Sequence, residues 1–167
     1  MPDESSDLQE LRDYLEIIEL ANRYGRYADE NRFADQGEDI YTDDVVVEME
    51  NGAVTIEGLE ANKQSAVKSK YVFARTQHVI TNVLVDLHGD RADVRTNLVA
   101  THIFDLDHPE QYWIVKGFYV WEAVRTPKGW RLSRRALYRT WEEDSREPAE
   151  TRFKAPKIPA GKLGNRL

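Results

Sequence analysis

The chain has 167 residues, 41% hydrophobic and 32% charged, with a net charge of −7 and no cysteine, a composition that suits one globular domain with a core of its own. The absence of cysteine excludes disulfides, thiolate nucleophiles and cysteine-ligated zinc, and the acidic balance turns away a phosphate backbone, so nucleic acid is not expected as a partner. No apolar run approaches the roughly 20 residues of a membrane span, and the opening MPDESSDLQE lacks the order of a secretory signal, so the expectation is a cytoplasmic protein with no membrane partner.

Leu11, Tyr14, Leu15, Ile18, Ala21, Asn22 and Gly25 recur at three- and four-residue spacings and predict a helix from about Leu8 to Ala28. Ser6 with Gln9 reads as its capping box. One further turn of the stripe lands on Ala28 and Asp29, which puts an acid where the inward face ends. A short helix over Arg32 to Tyr41, a hairpin from Val45 to Ile56 turning at Asn51-Gly52, and a helix over Leu59 to Phe73 follow. From there the period changes to two. Turn signals at His88-Gly89-Asp90, Asp105 to Glu110 and Thr126-Pro127-Lys128-Gly129 divide the rest into strands at about 78–87, 91–105, 111–125 and 130–142. Helices before a long meander predict an α+β fold, N-terminal helices packed on a curved antiparallel sheet, over residues 1–143. Residues 144–167 carry three prolines without periodicity and read as an extended C-terminal arm or tail.

Strict alternation puts His78, Ile80, Asn82 and Leu84 on one face of the first long strand, and His102 on a mainly apolar face of the next. A histidine so placed is either a bonded core residue or a base. A carboxylate such as Asp29, buried against the sheet, needs a partner of that kind, and an imidazole held by a carboxylate suits proton abstraction near neutral pH. Tyr27, Phe33, Tyr41, Phe73, Phe118, Tyr119 and Trp121 are the aromatic residues available to wall a pocket. Arg135 and Arg139 share a face of the last strand and offer either a solvated surface or an anion contact. The segment His102-x-x-Asp105-x-Asp107-His108 has no standard ligand spacing, and no metal is expected.

The order Arg26-Tyr27-Ala28-Asp29, Tyr41-Thr42-Asp43-Asp44-Val45, Arg75-Thr76-Gln77-His78 and Arg139-Thr140-Trp141-Glu142-Glu143 resembles the SnoaL-like, scytalone-dehydratase-like branch of the nuclear transport factor 2-like superfamily over about residues 8–143. The resemblance implies a cone-shaped fold and a catalytic dyad of Asp29 and His78, with His102 as a second pocket histidine. It implies an arginine late in the last strand, Arg139 or Arg135, that assists the leaving group, and Tyr27, Tyr41, Asn82 and Tyr119 are the further substrate-binding candidates. Tyr27, His102 or Arg139 would stabilise the developing oxyanion. The expected activity is cofactor-independent elimination, a dehydratase-type lyase on a small apolar cyclic substrate. Alternatives on the same fold are an isomerase, a polyketide cyclase, or a non-catalytic ligand-binding module similar to dioxygenase small subunits. Relatives associate through the outer sheet face, so a homo-oligomer is expected, a trimer before a dimer.

Overall fold

The computed structural model describes residues 4–32 and 35–160. Helix α1 (Glu4–Asp29) leads through the short α2 (Gln36–Ile40) into strand β1 (Tyr41–Met49), a tight turn over Glu50–Gly52, β2 (Val54–Glu57) and helix α3 (Leu59–Lys70). Four long strands come next, β3 (Arg75–His88), β4 (Arg91–Ile103), β5 (Tyr112–Thr126) and β6 (Gly129–Asp144), and a two-residue β7 (Phe153–Lys154) closes the order. They form one sheet in the order β2-β1-β6-β5-β4-β3, with β7 beside β6. The meander from β3 to β6 is antiparallel as expected. The sheet as a whole is mixed, because β1 lies parallel to β6. Among the described residues no helix is long and apolar enough to cross a membrane.

The core lies between α1 and the concave face of the sheet, where Ile17, Leu20, Ala21 and Tyr24 meet Trp121, Trp130, Leu132 and Val94. The buried face of α1 is therefore displaced from the predicted stripe. Leu11 and Leu15 are exposed, and Asp13 is buried in their place, held by a two-pronged ion pair with Arg125 (2.7 and 2.6 Å) and by the Trp130 indole N–H (3.0 Å). The hydrogen bonds from Arg125 hold the Asp13 carboxyl far below the usual carboxylate range against the opposing effect of burial. Ser6 lies inside α1, which begins at Glu4, so it is not an N-cap.

Two irregularities shape the site. Asn82 has φ +53°, a left-handed backbone that asparagine tolerates better than most residues, and the β3–β4 register shifts there. The bulge reverses the pleat: His78 and Ile80 point inward before it, whereas Val83, Val85 and Leu87 pack on the core after it. The single alternation expected along this strand is thus broken in two. On β5, a Cβ at Gly117 would collide with the Tyr138 carbonyl, so only glycine lets β5 and β6 keep their close approach beside the register shift there.

After β6 the chain turns back along the outer face. β7 pairs with Glu142 and Glu143, Ile158 packs against Phe118 and Tyr138, and Asn51 donates to the Lys157 and Arg139 carbonyls (3.0 and 3.2 Å) while accepting from the Arg139 N–H (2.6 Å).

Candidate active site

Helix α1 ends in a left-handed residue, Asn31 (φ +56°), with the Arg32 N–H bonded to the Tyr27 carbonyl (2.8 Å) and the Asn31 N–H to that of Ala28 (3.2 Å). This leaves Asp29 in the last turn, at the negative end of the helix dipole, where a carboxylate is disfavoured. Strand β3 compensates. The His78 backbone N–H donates to both carboxylate oxygens (3.0 and 2.9 Å), the Thr76 hydroxyl donates to Oδ1 (3.2 Å), and the His78 ring meets Oδ1 through Nδ1 at 2.7 Å. Burial pushes the Asp29 carboxyl up, but these bonds outweigh it and hold the acid below its ordinary value. An ionised carboxylate only accepts, so Nδ1 carries the ring proton and Nε2 is left with its lone pair. Gly25 lies where the helix packs on the strand: a Cβ there would stand 3.2 Å from Ile80 Cδ1, a tight approach, and 3.6 Å from His78 Cβ, an ordinary one.

His78 opens on a cavity of about 240 Å³ between the concave sheet, α1, α2 and α3. His102, on β4, stands beside it with ring centroids 5.7 Å apart, at right angles, and packs between Phe73 and Trp113. Its Nδ1 lies 3.1 Å from the Trp113 carbonyl, which can only accept, so here too the proton is on Nδ1. Burial, and then the neighbouring His78, lower the His102 imidazole from 6.5 to about 4. His102 is therefore neutral at neutral pH and presents an acceptor to the cavity. The expectation that it would stabilise an oxyanion is corrected, because its one donor is already spent.

Arg135, 8% exposed, also lines the cavity. Its Nη1 donates to the Tyr24 hydroxyl (2.5 Å), its guanidinium lies over the Tyr24 and Tyr119 rings, and its Nε is buried without a partner among the described residues. The Tyr24 and Tyr119 hydroxyls are 3.3 Å apart, and burial raises the Tyr119 phenol well above 10, so it stays a neutral donor. A guanidinium is always charged. Its charge faces tyrosine dipoles rather than a carboxylate.

The remaining candidates lie elsewhere. Tyr27 is buried and spends its hydroxyl on Asp39 (2.8 Å) with Arg32 over its ring, and Arg139 is paired with Glu142 (2.8 Å); neither lines the cavity. The expectation that either would face an oxyanion is corrected: each already has its partner outside the cavity. Asn82 is exposed at the bulge that turns its strand over and does not reach the cavity. Tyr41 is buried and does not line the cavity; its hydroxyl, near enough to Arg135 to feel its charge, has no partner among the described residues and is pushed up by burial. Of the aromatic set, Phe73 and Tyr119 line the cavity, Trp121 lies beneath it, Phe118 faces the outside of the sheet, and Phe33 lies outside the described residues. The segment from His102 to His108 does not converge, and among the described residues no three side chains gather as metal ligands.

Gln36, Asn62 and Thr76 were not among the site residues expected from the sequence. Thr76 is legible in hindsight as the residue two before His78, on the same face of a strand. Gln36 and Asn62 sit in short polar helices and leave no pattern to read.

The chain matches the SnoaL-like domain over residues 9–136. No curated protein matches it. Among solved structures, the Kfla4162 protein from Kribbella flavida is 32% identical, with a TM-score of 0.76 over 82% of this chain and 97% of its own. A candidate scytalone dehydratase from Novosphingobium aromaticivorans is 23% identical (TM-score 0.74; 95% and 97% covered). The hexachlorocyclohexane dehydrochlorinase LinA-type3 from Novosphingobium barchaimii is 18% identical (TM-score 0.70; 90% and 99% covered). The last two share the fold with this chain.

Proposed function

The chain belongs to the SnoaL-like domain family, and on that premise we propose that it is a small-molecule enzyme whose His78 removes a carbon-bound proton, acting without a cofactor as a dehydratase-type lyase. The observation that carries this reading is the 2.7 Å bond from His78 Nδ1 to Asp29, which fixes the tautomer and leaves Nε2 open on a cavity of substrate size. In the first step the C–H bond next to a carbonyl breaks, the proton goes to Nε2, and Asp29 stabilises the imidazolium. The electron pair delocalises onto the carbonyl oxygen, and Arg135 with the Tyr24 hydroxyl it holds meets the charge; their bond on the cavity wall supports this reading. In the second step the pair returns, a carbon–carbon double bond forms, and the carbon–oxygen bond of a neighbouring hydroxyl breaks. The imidazolium hands its proton to the departing oxygen, so that water leaves and His78 is restored. His102 accepts a hydrogen bond from a substrate hydroxyl and holds the ring in place.

Isomerisation and ring closure begin with the same proton abstraction, so the test reads that step apart from the loss of water. A panel of cyclic β-hydroxy ketones and enones is incubated in deuterated buffer and monitored by mass spectrometry, with His78→Ala beside the wild type. Deuterium uptake or loss of water that vanishes in the variant is the expected result. If neither protein exchanges or consumes any compound while both bind them, the domain is a binding module.

We also propose a homo-oligomer, a trimer before a dimer, built on the outer sheet face. The support is the register pair Val79 and Val99, which is apolar and exposed there. Light scattering on the purified chain reads the mass directly.

A further inference from the structure

The wall of the cavity on the helix side carries two carboxamides that the proposed chemistry does not use. Gln36, at the start of α2, is 3% exposed, and Asn62, in the first half of α3, is 4% exposed. Both line the cavity with Ser65 from the next turn of α3. Neither side chain makes a hydrogen bond to a described residue, although Asn62 has its backbone N–H satisfied by the Gly58 carbonyl (3.1 Å). Their polar ends are not among the atoms sealed in the interior without a partner, so they open onto the cavity. Buried amides are almost always hydrogen-bonded. Two from different helices, both unpaired and both turned into one cavity, are the mark of groups reserved for a ligand.

We propose that Gln36 and Asn62 are specificity-determining residues that select a ring bearing hydroxyl or carbonyl oxygens on the edge facing α2 and α3, an inference that rests on the cavity being the substrate site. Each carboxamide offers two N–H donors and one carbonyl acceptor, a set that matches a hydroxyl, which gives and takes, or a hydroxyl beside a carbonyl. Between this wall and the sheet, Met49, Leu98, Val115 and Leu137 supply apolar surface for the faces of the ring. The substrate is then apolar on its faces and oxygenated on its rim. A halogenated or plain hydrocarbon ring would displace solvent from both amides and leave them unpaired, whereas an oxygenated ring replaces what it displaces.

The test uses three probes of one shape, indane, 1-indanone and 4-hydroxy-1-indanone, none of which has a group to eliminate. Their affinities for the full chain are measured by nuclear magnetic resonance titration on the wild type, Gln36→Leu and Asn62→Leu. Leucine keeps the size of the side chain, and retained indane binding reports an intact cavity. The expected result is that the wild type prefers 4-hydroxy-1-indanone over indane by about tenfold or more, and that each variant cuts this ratio by about five- to tenfold. A wild-type ratio near one, no binding of any probe, or a ratio unchanged in both variants would overturn the proposal. The wild-type ratio decides alone should a leucine variant fail to fold. The assay reads affinity alone, and indane offers no proton next to a carbonyl, so a failure of the His78 exchange experiment and a failure here are separate results.

Discussion

Replacing His102 with phenylalanine should make the protein less stable at neutral pH and more stable in mild acid. The ring would keep its place between Phe73 and Trp113, whose centroids lie 4.6 and 4.9 Å from that of His102, but the Trp113 carbonyl would lose its donor. That loss costs about 1 kcal/mol at pH 7.5. The acid limb has the opposite sign. His102 titrates near 4 when folded and 6.5 when unfolded, so between those values the unfolded chain binds more protons and wild-type stability falls as the pH drops. The linkage amounts to roughly 2 kcal/mol by pH 5 and roughly 3 kcal/mol below pH 4. Phenylalanine has nothing to protonate, so the two stability curves should cross near about pH 6. Urea unfolding of both proteins at half-unit steps from pH 7.5 to 5 reads the difference and cancels the contribution of the groups that do not interact with His102. A difference that stays flat over that range would refute the claim that His102 is held neutral in the folded protein.

The site sets three further outcomes. Asp29→Asn keeps the shape of the acid but withdraws its charge from the imidazolium, and should lower the rate of deuterium exchange by about 10²–10⁴, read in single turnover. Arg135→Met replaces a buried guanidinium that has no carboxylate partner; thermal unfolding should show a change within about 1 kcal/mol, of either sign, while kcat/KM falls by about 10²-fold. Asn82→Ala should cost about 1 kcal/mol for its left-handed backbone, and Asn82→Gly should restore it, with kcat unchanged in both because the residue lies outside the cavity.

The elements were legible because their signals are local. Turn residues at Gly89, Asp105 to Glu110 and Gly129 set the ends of the meander to within a few residues. The phase of a strand was not legible past Asn82, since one inserted residue exchanges the faces and nothing in the run from Val79 to Val85 announces it. The face of α1 was misread for a related reason: Leu11 and Leu15 look like core, whereas Asp13 is buried by an ion pair to a strand more than a hundred residues away. In the site, the contact between His78 and Asp29 could be anticipated from a carboxylate at a helix end and a histidine opening a strand. Which arginine faced the cavity could not. Arg135 and Arg139 share a face in the sequence pattern, and only the Asn51 turn and the nearby Glu142 draw Arg139 away.

Gly25 gives the dyad its alignment by what it lacks. The acid rides on a helix and the base on a strand, and α1 passes over Ile80 and His78 at Gly25, where a side chain would have little room. Such a contact works as a depth stop. A methyl group at position 25 would press on the end of the Ile80 side chain, and if that end does not yield, the helix must, and Asp29 one turn further along moves with it. Selection acting on proton transfer would then be felt at a residue that bears no functional group, one turn from the chemistry it calibrates.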